Sequence, residues 1–111
     1  MAKSNEPFWW GLFAAGGMVA ALFVPITVVL TSFGVLTGLV SEEKLWAAVH
    51  HPLGRLYLFV IIALPLFHWA HRFRFTLVDL GLKGGRDAIA IFCYGSAILG
   101  TLVAAFLVLR I

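Results

Sequence analysis

The run PFWWGLFAAGGMVAALFVPITVVLTSFGVLTGLVS, Pro7 to Ser41, holds 35 residues without one Asp, Glu, Lys or Arg. Wound as a helix it measures about 52 Å, against about 30 Å of hydrocarbon in a bilayer. It overshoots one crossing and is too short for two. The run therefore predicts a single tilted transmembrane helix over about residues 10–36, with Pro7, Phe8 and Trp9 in the headgroup layer and Thr37 to Ser41 leaving on the far side. Pro25, near its middle, withdraws the N–H that would bond the Ala21 carbonyl and predicts a kink there.

Working outward from this run, SEEKLWAAVHH (Ser41 to His51) gathers two acids, a lysine and a tryptophan. Ser41 before Glu42 and Glu43 has the pattern of an N-cap with acids in the first turn, so a short interfacial helix or loop is expected. The chain re-enters at Pro52, stays apolar past a second kink residue, Pro65, and reaches the polar group His71, Arg72, Arg74. That is a second crossing, about residues 52–75. Gly81, Gly84 and Gly85 make Asp79 to Asp87 a turn. Ala88 to Leu109 is a further 22 residues without a charge, closed by Arg110. The fold expected is all-α and integral to the membrane, one transmembrane anchor domain over residues 1–111 with helices at about 10–36, 52–75 and 88–109.

Composition agrees. The chain is 62% hydrophobic and 12% charged with a mean hydropathy of +1.03, whereas a soluble domain is about a quarter charged. So small a chain cannot bury that much apolar surface in itself and needs lipid or partner chains as solvent. Its eight Lys and Arg sit at the ends of apolar runs, not interleaved with polar residues as in a nucleic-acid-binding face, so no nucleic acid is expected as a partner. Arg72, Arg74, Lys83, Arg86 and Lys3 fall on one side and Lys44, Arg55 and Arg110 on the other. Because Lys and Arg are retained in the cytoplasm, the N-terminus is expected inside and the C-terminus in the periplasm. The first apolar run is too long for a signal peptide, so it is expected to remain in the mature protein.

Few residues are left to carry chemistry. The first and third crossings hold no charged side chain, which points away from ion-coupled transport. Cys93 stands alone inside an apolar run, so an intrachain disulfide, a CxxC pair and a thiolate cage for iron and sulfur are all excluded. His68 shares a helix face with His71 and Arg72 by spacing. Three readings of this group stay open: axial ligation of a b-type haem, hydrogen bonding to a quinone carbonyl with Arg72 stabilising negative charge on the ring, and plain interfacial polarity at a helix end. Three crossings place the start of the first helix beside the end of the second, so Trp9, Trp10 and Phe13 should lie at the depth of His71 and Arg72. That would give flat rings beside polar donors, the requirements of a quinone head group. Ser96, Gly100 and Ala104, and Ala14, Gly17 and Ala21, form lines of small residues suited to close helix packing, within the chain or against a second membrane protein. Trp46, His50 and His51 read as interfacial residues on the far side.

The segment EPFWWGLFAAGGM (Glu6 to Met18), the pattern GRLYLFVIIALPLFHWAHR (Gly54 to Arg72) and the pair Asp79-Leu80 resemble the D subunit of the enteric type of quinol:fumarate reductase, over nearly the whole chain. The resemblance implies a complex in the bacterial inner membrane. In it a flavoprotein subunit, with FAD, reduces fumarate, an iron–sulfur subunit relays electrons, and two hydrophobic subunits, C and this one, anchor both. It implies a menaquinol-oxidation site shared with those partners, to which this chain brings Trp10, Phe13, Ala14, His71 and Arg72, with no catalytic residue or metal ligand of its own. Haem is not expected in the enteric type. A haem b-binding anchor of a succinate dehydrogenase, or a small non-enzymatic membrane protein, would be the alternatives. Between Phe73 and Leu80 the family's histidine-rich loop is replaced by residues without histidine.

Overall fold

The computed structural model describes residues 6–111; Lys3, one of the charges behind the orientation expectation, lies outside them. Helix occupies nearly all of this stretch, and there is no strand among the described residues. Helix α1 runs over Pro7–Leu36, the short α2 over Glu42–His50, α3 over Pro52–Asp79 and α4 over Arg86–Arg110. A single 3₁₀ turn, Lys83–Gly85, leads into α4. Three of these helices, of 30, 28 and 25 residues, are long and apolar enough to cross a membrane. In lipid every backbone polar group must be satisfied within the chain, and a helix does so locally. The radius of gyration is 17.1 Å, against about 13 Å for a compact domain of this length, and the longest dimension is 53 Å. The chain is a rod of bilayer length.

Helices α1 and α4 start earlier than expected, and α3 and α4 end later. Pro7, Phe8 and Trp9 already belong to α1, and α3 runs one turn beyond the anticipated Phe75 to Asp79. At the first proline the disturbance is a wide turn: Val19–Phe23 is a π turn placed just before Pro25, in which the Val24 N–H reaches back to the Val19 carbonyl. A second π turn, Val29–Phe33, follows. Hydroxyls serve the loosened carbonyls, Thr27 donating to Phe23 at 2.7 Å and Thr31 to Thr27 at 2.8 Å. Such back-bonding bends membrane helices while keeping their polar groups satisfied.

Helix α3 is central, packed along one side by α1 and along the other by α4. Its contact with α4 closes over Ala70, Cys93 and Ala97, all fully buried, with Leu66, Phe67 and Tyr94 around them. Small side chains let the backbones approach, which is how dispersion holds helices together where lipid removes the hydrophobic difference between inside and outside. The closest approach of α1 is at Gly16, where a Cβ would overlap the Leu64 carbonyl oxygen. Gly100 faces Leu66 and Ala104 is buried, so much of that small-residue line is used inside the chain. Thr27 and Tyr57 join α1 to α3 by a hydroxyl–hydroxyl bond.

At the other end of α3, Ser41 occupies the N-cap position of α2 without a side-chain bond. His51, read from sequence as merely interfacial, caps α3: its Nδ1 accepts the Leu53 N–H at 3.1 Å. Outward-facing apolar residues such as Ile91, Leu102 and Phe106 remain exposed on the isolated chain, as suits a surface made for lipid or a partner protein.

Candidate functional site

The start of α1, the last turns of α3 and the start of α4 meet at one end of the bundle, so the shared depth of the aromatic run and the histidines is realised. Trp9 of α1 touches Tyr94 of α4 at 4.9 Å between ring centroids and Phe67 of α3 at 6.2 Å. Phe13, one helical turn on, lies 4.4 Å from His68, nearly parallel to it, and 4.6 Å from His71.

The two histidines have different surroundings. His68 is turned into α1: its Nδ1 donates to the Phe13 carbonyl at 2.8 Å, and one ring face rests on the Phe13 side chain. A Cβ on Gly17 would stand 2.8 Å from its Cε1, so Gly17 makes room for the imidazole. His68 therefore docks α1 onto α3. His71 is joined instead to α4, its Nδ1 lying 3.0 Å from the Tyr94 hydroxyl, while Phe75 meets its ring edge at 5.0 Å.

Two clefts flank His71. The larger, about 630 Å³, has Trp9, Trp10, Arg74, Phe75, Tyr94 and Ile98 in its walls together with His71. The smaller, about 300 Å³, is formed by Phe13, His71, Arg72, Phe75, Thr76 and Asp79. Among the sequence-expected residues, Trp10 and His71 thus share one cleft, and Phe13, Arg72 and His71 the other; Ala14 is half-buried and lines neither.

Arginine enters both clefts. Arg72 reaches the smaller. Arg74, three residues beyond His71 and so on its side of the helix, reaches the larger, where its guanidinium sits 4.7 Å from the Phe75 ring centre and 5.6 Å from that of Tyr94. Such stacking holds a guanidinium flat against an aromatic wall with its donors free for an anionic or carbonyl ligand. Among the described residues no carboxylate lines the larger cleft, and no group of three or more His, Cys, Asp or Glu is placed to hold a metal ion.

Sequence reasoning missed Tyr94 and Arg74 as members of this site. Arg74 reads in the sequence as part of the polar group that ends the second crossing and as an orienting charge, not as a site residue. Tyr94, 23 residues from His71, carried only the signal of a polar-tipped aromatic one to two turns inside an apolar helix, and which residue it meets depends on how α4 is rotated about its axis.

Comparison with known proteins matches residues 1–109 to the family model for the D subunit of fumarate reductase. The fumarate reductase D subunit of Mycobacterium tuberculosis (strain ATCC 25618 / H37Rv) is 44% identical over 112 residues, covering 96% of this chain and 89% of that protein. Its counterpart in Mycobacterium bovis (strain ATCC BAA-935 / AF2122/97) is similar to the same degree. The fumarate reductase D subunit of Shewanella putrefaciens (strain CN-32 / ATCC BAA-453) is 35% identical over 116 residues, covering 98% of this chain and 93% of its own. With three membrane-crossing helices and a match along nearly its whole length, the chain belongs to the family of fumarate reductase D subunits.

Proposed function

We propose that this chain attaches the flavoprotein and iron–sulfur subunits of a fumarate reductase to the bacterial inner membrane, beside a second hydrophobic subunit. We further propose that it forms part of the menaquinol-oxidation site at the His71 end, which faces the cytoplasm. The observation that carries the quinol reading is the position of His71, in the walls of both clefts, between aromatic surfaces, with Nδ1 already engaged by Tyr94.

A quinol gives up two electrons and two protons. The electrons leave to redox groups of the partner subunits, and this chain's own residues bind the ring and handle the protons. Trp9, Trp10 and Phe75 offer flat apolar walls for a fused aromatic head group, and a cleft of several hundred Å³ is of the size that encloses such a ligand. The isoprenoid tail runs out into lipid.

His71 suits the proton step because its Nδ1 is held, which leaves Nε2 as the nitrogen available to a ligand. When Nδ1–H donates to the Tyr94 oxygen, Nε2 is a bare acceptor for a quinol O–H. When the Tyr94 O–H donates to Nδ1, Nε2–H is a donor to a quinone carbonyl. The tyrosine hydroxyl plays either part, so the pair serves both the reduced and the oxidised ring. A nearby guanidinium, Arg74 or Arg72, stabilises negative charge that develops on the ring oxygens as protons depart.

The deciding experiment uses the assembled complex in membranes and compares menaquinol-driven with dye-driven fumarate reduction. His71→Gln should slow the first about 100-fold, the scale of a lost proton-transfer group, and leave the second unchanged. Normal menaquinol oxidation by that variant would make the chain an anchor only.

A further inference from the structure

At the end of the bundle away from His71, a groove of about 540 Å³ opens between the first turns of α3 and the last turns of α4, walled by His50, Arg55, Leu56, Phe59, Ala105 and Val108. We propose that this groove is a binding site for an anionic phospholipid, its headgroup phosphate held by the Arg55 guanidinium and an acyl chain lying on Leu56, Phe59 and Val108.

Arg55 carries the proposal. Its Nε is enclosed by the protein yet meets no hydrogen-bond acceptor among the described residues, and none of those residues brings a carboxylate to the groove walls. Arg55 as a whole is only half-buried and lines the groove, so the outer N–H groups of its guanidinium are the ones an anion from outside can reach, while the enclosed, unpaired Nε adds to the cost of leaving the charge without a partner. Its planar fork of N–H groups matches two phosphate oxygens at once. His50 contributes wall, its ring held by an Nδ1–H bond to the Trp46 carbonyl at 2.7 Å.

Depth selects a lipid over other anions. Arg55 lies three residues from the start of α3 at Pro52. It is close in sequence to Trp46 and His50, whose rings lie together, an aromatic and polar belt of the kind found at headgroup level. Phe59 is one turn further along, about 6 Å deeper. Charge above and an apolar trough below is the layout of a phospholipid, whose phosphate is the plentiful anion at that level. The groove shares no residue with the His71 clefts, so the proposal stands apart from the quinol reading.

The test is native mass spectrometry of the intact detergent-solubilised complex, titrated with palmitoyl-oleoyl phosphatidylglycerol or with phosphatidylcholine of the same chains. Phosphatidylglycerol should be retained preferentially, and Arg55→Gln should lower its affinity about fivefold, the factor for one basic residue at an anionic surface. Ala105→Phe, which fills the trough but keeps the guanidinium, should lower it as well, and Arg55→Lys should keep part of it. Should Arg55→Gln fail to assemble, the other two variants still decide. Equal retention of the two lipids, or of phosphatidylglycerol by wild type and all variants, overturns the proposal. So does displacement of the lipid by millimolar inorganic phosphate, or cross-linking of Leu109→Cys to the other hydrophobic subunit through a groove that holds no lipid.

Discussion

The hydroxyl of Tyr94 lies 3.0 Å from Nδ1 of His71, linking α4 to α3 at the end where Trp9 of α1 also arrives. Removing that oxygen by Tyr94→Phe keeps the aromatic packing and frees the imidazole to choose its tautomer and tilt. Menaquinol oxidation should fall about tenfold, with kcat falling more than KM rises, while dye-driven fumarate reduction is unchanged. Unaltered quinol kinetics would show that the bond is structural.

Two arginines compete for the role of electrostatic partner, one in each cleft. Arg72→Leu and Arg74→Leu, compared in the assembled enzyme, should differ: the one facing the bound ring loses about 10- to 1000-fold in turnover, the other little. Trp10→Leu should mainly weaken quinol and inhibitor binding, because stacking acts alike on ground and transition states. A strong effect of Trp10 together with Arg74 places the ring in the larger cleft; an effect confined to Arg72 and Phe13 places it in the smaller.

Gly16 is the contact that admits α1 to α3. Gly16→Val sets carbon against the Leu64 carbonyl, which belongs to backbone and cannot swing aside, so the helices must part. A loss of about 3 kcal/mol is expected, read as a lower thermal midpoint and less assembled complex. Gly11→Ala, whose added Cβ would meet nothing within 4 Å, should be silent in the same assay.

A reduced-minus-oxidised optical spectrum separates the quinol-site reading from that of a cytochrome anchor. Because His68 is committed to the Phe13 carbonyl and ring, His68→Leu should loosen α1 docking, lower stability by about 2 kcal/mol, and change no b-type absorption. A haem band abolished by that substitution would reverse the assignment.

Membrane orientation is open to direct measurement. Reporter fusions in the turn at Gly84 and at the C-terminus should report the cytoplasm and the periplasm respectively. A cytoplasmic C-terminus would remove the proposed facing of the His71 clefts.

Much of the architecture was determined by sequence alone, because hydropathy over some twenty residues is a local property and lipid leaves an apolar segment only one economical backbone, the helix. Three crossings and their connections follow, and with them the meeting of Trp9 and Phe13 with His71 at one depth. Rotation of each helix about its own axis is another matter. Where lipid is as apolar as a leucine side chain, hydropathy does not mark an inward face, so azimuth is set by which small residues let backbones touch and which few polar groups find partners. Only the tertiary structure therefore shows Gly16 against Leu64, His68 turned to α1 while His71 turns to Tyr94, and the division of Trp10 and Phe13 between two clefts. The same holds for Arg55, legible in sequence as an orienting charge: what surrounds its guanidinium is decided by the approach of α4, half the chain away.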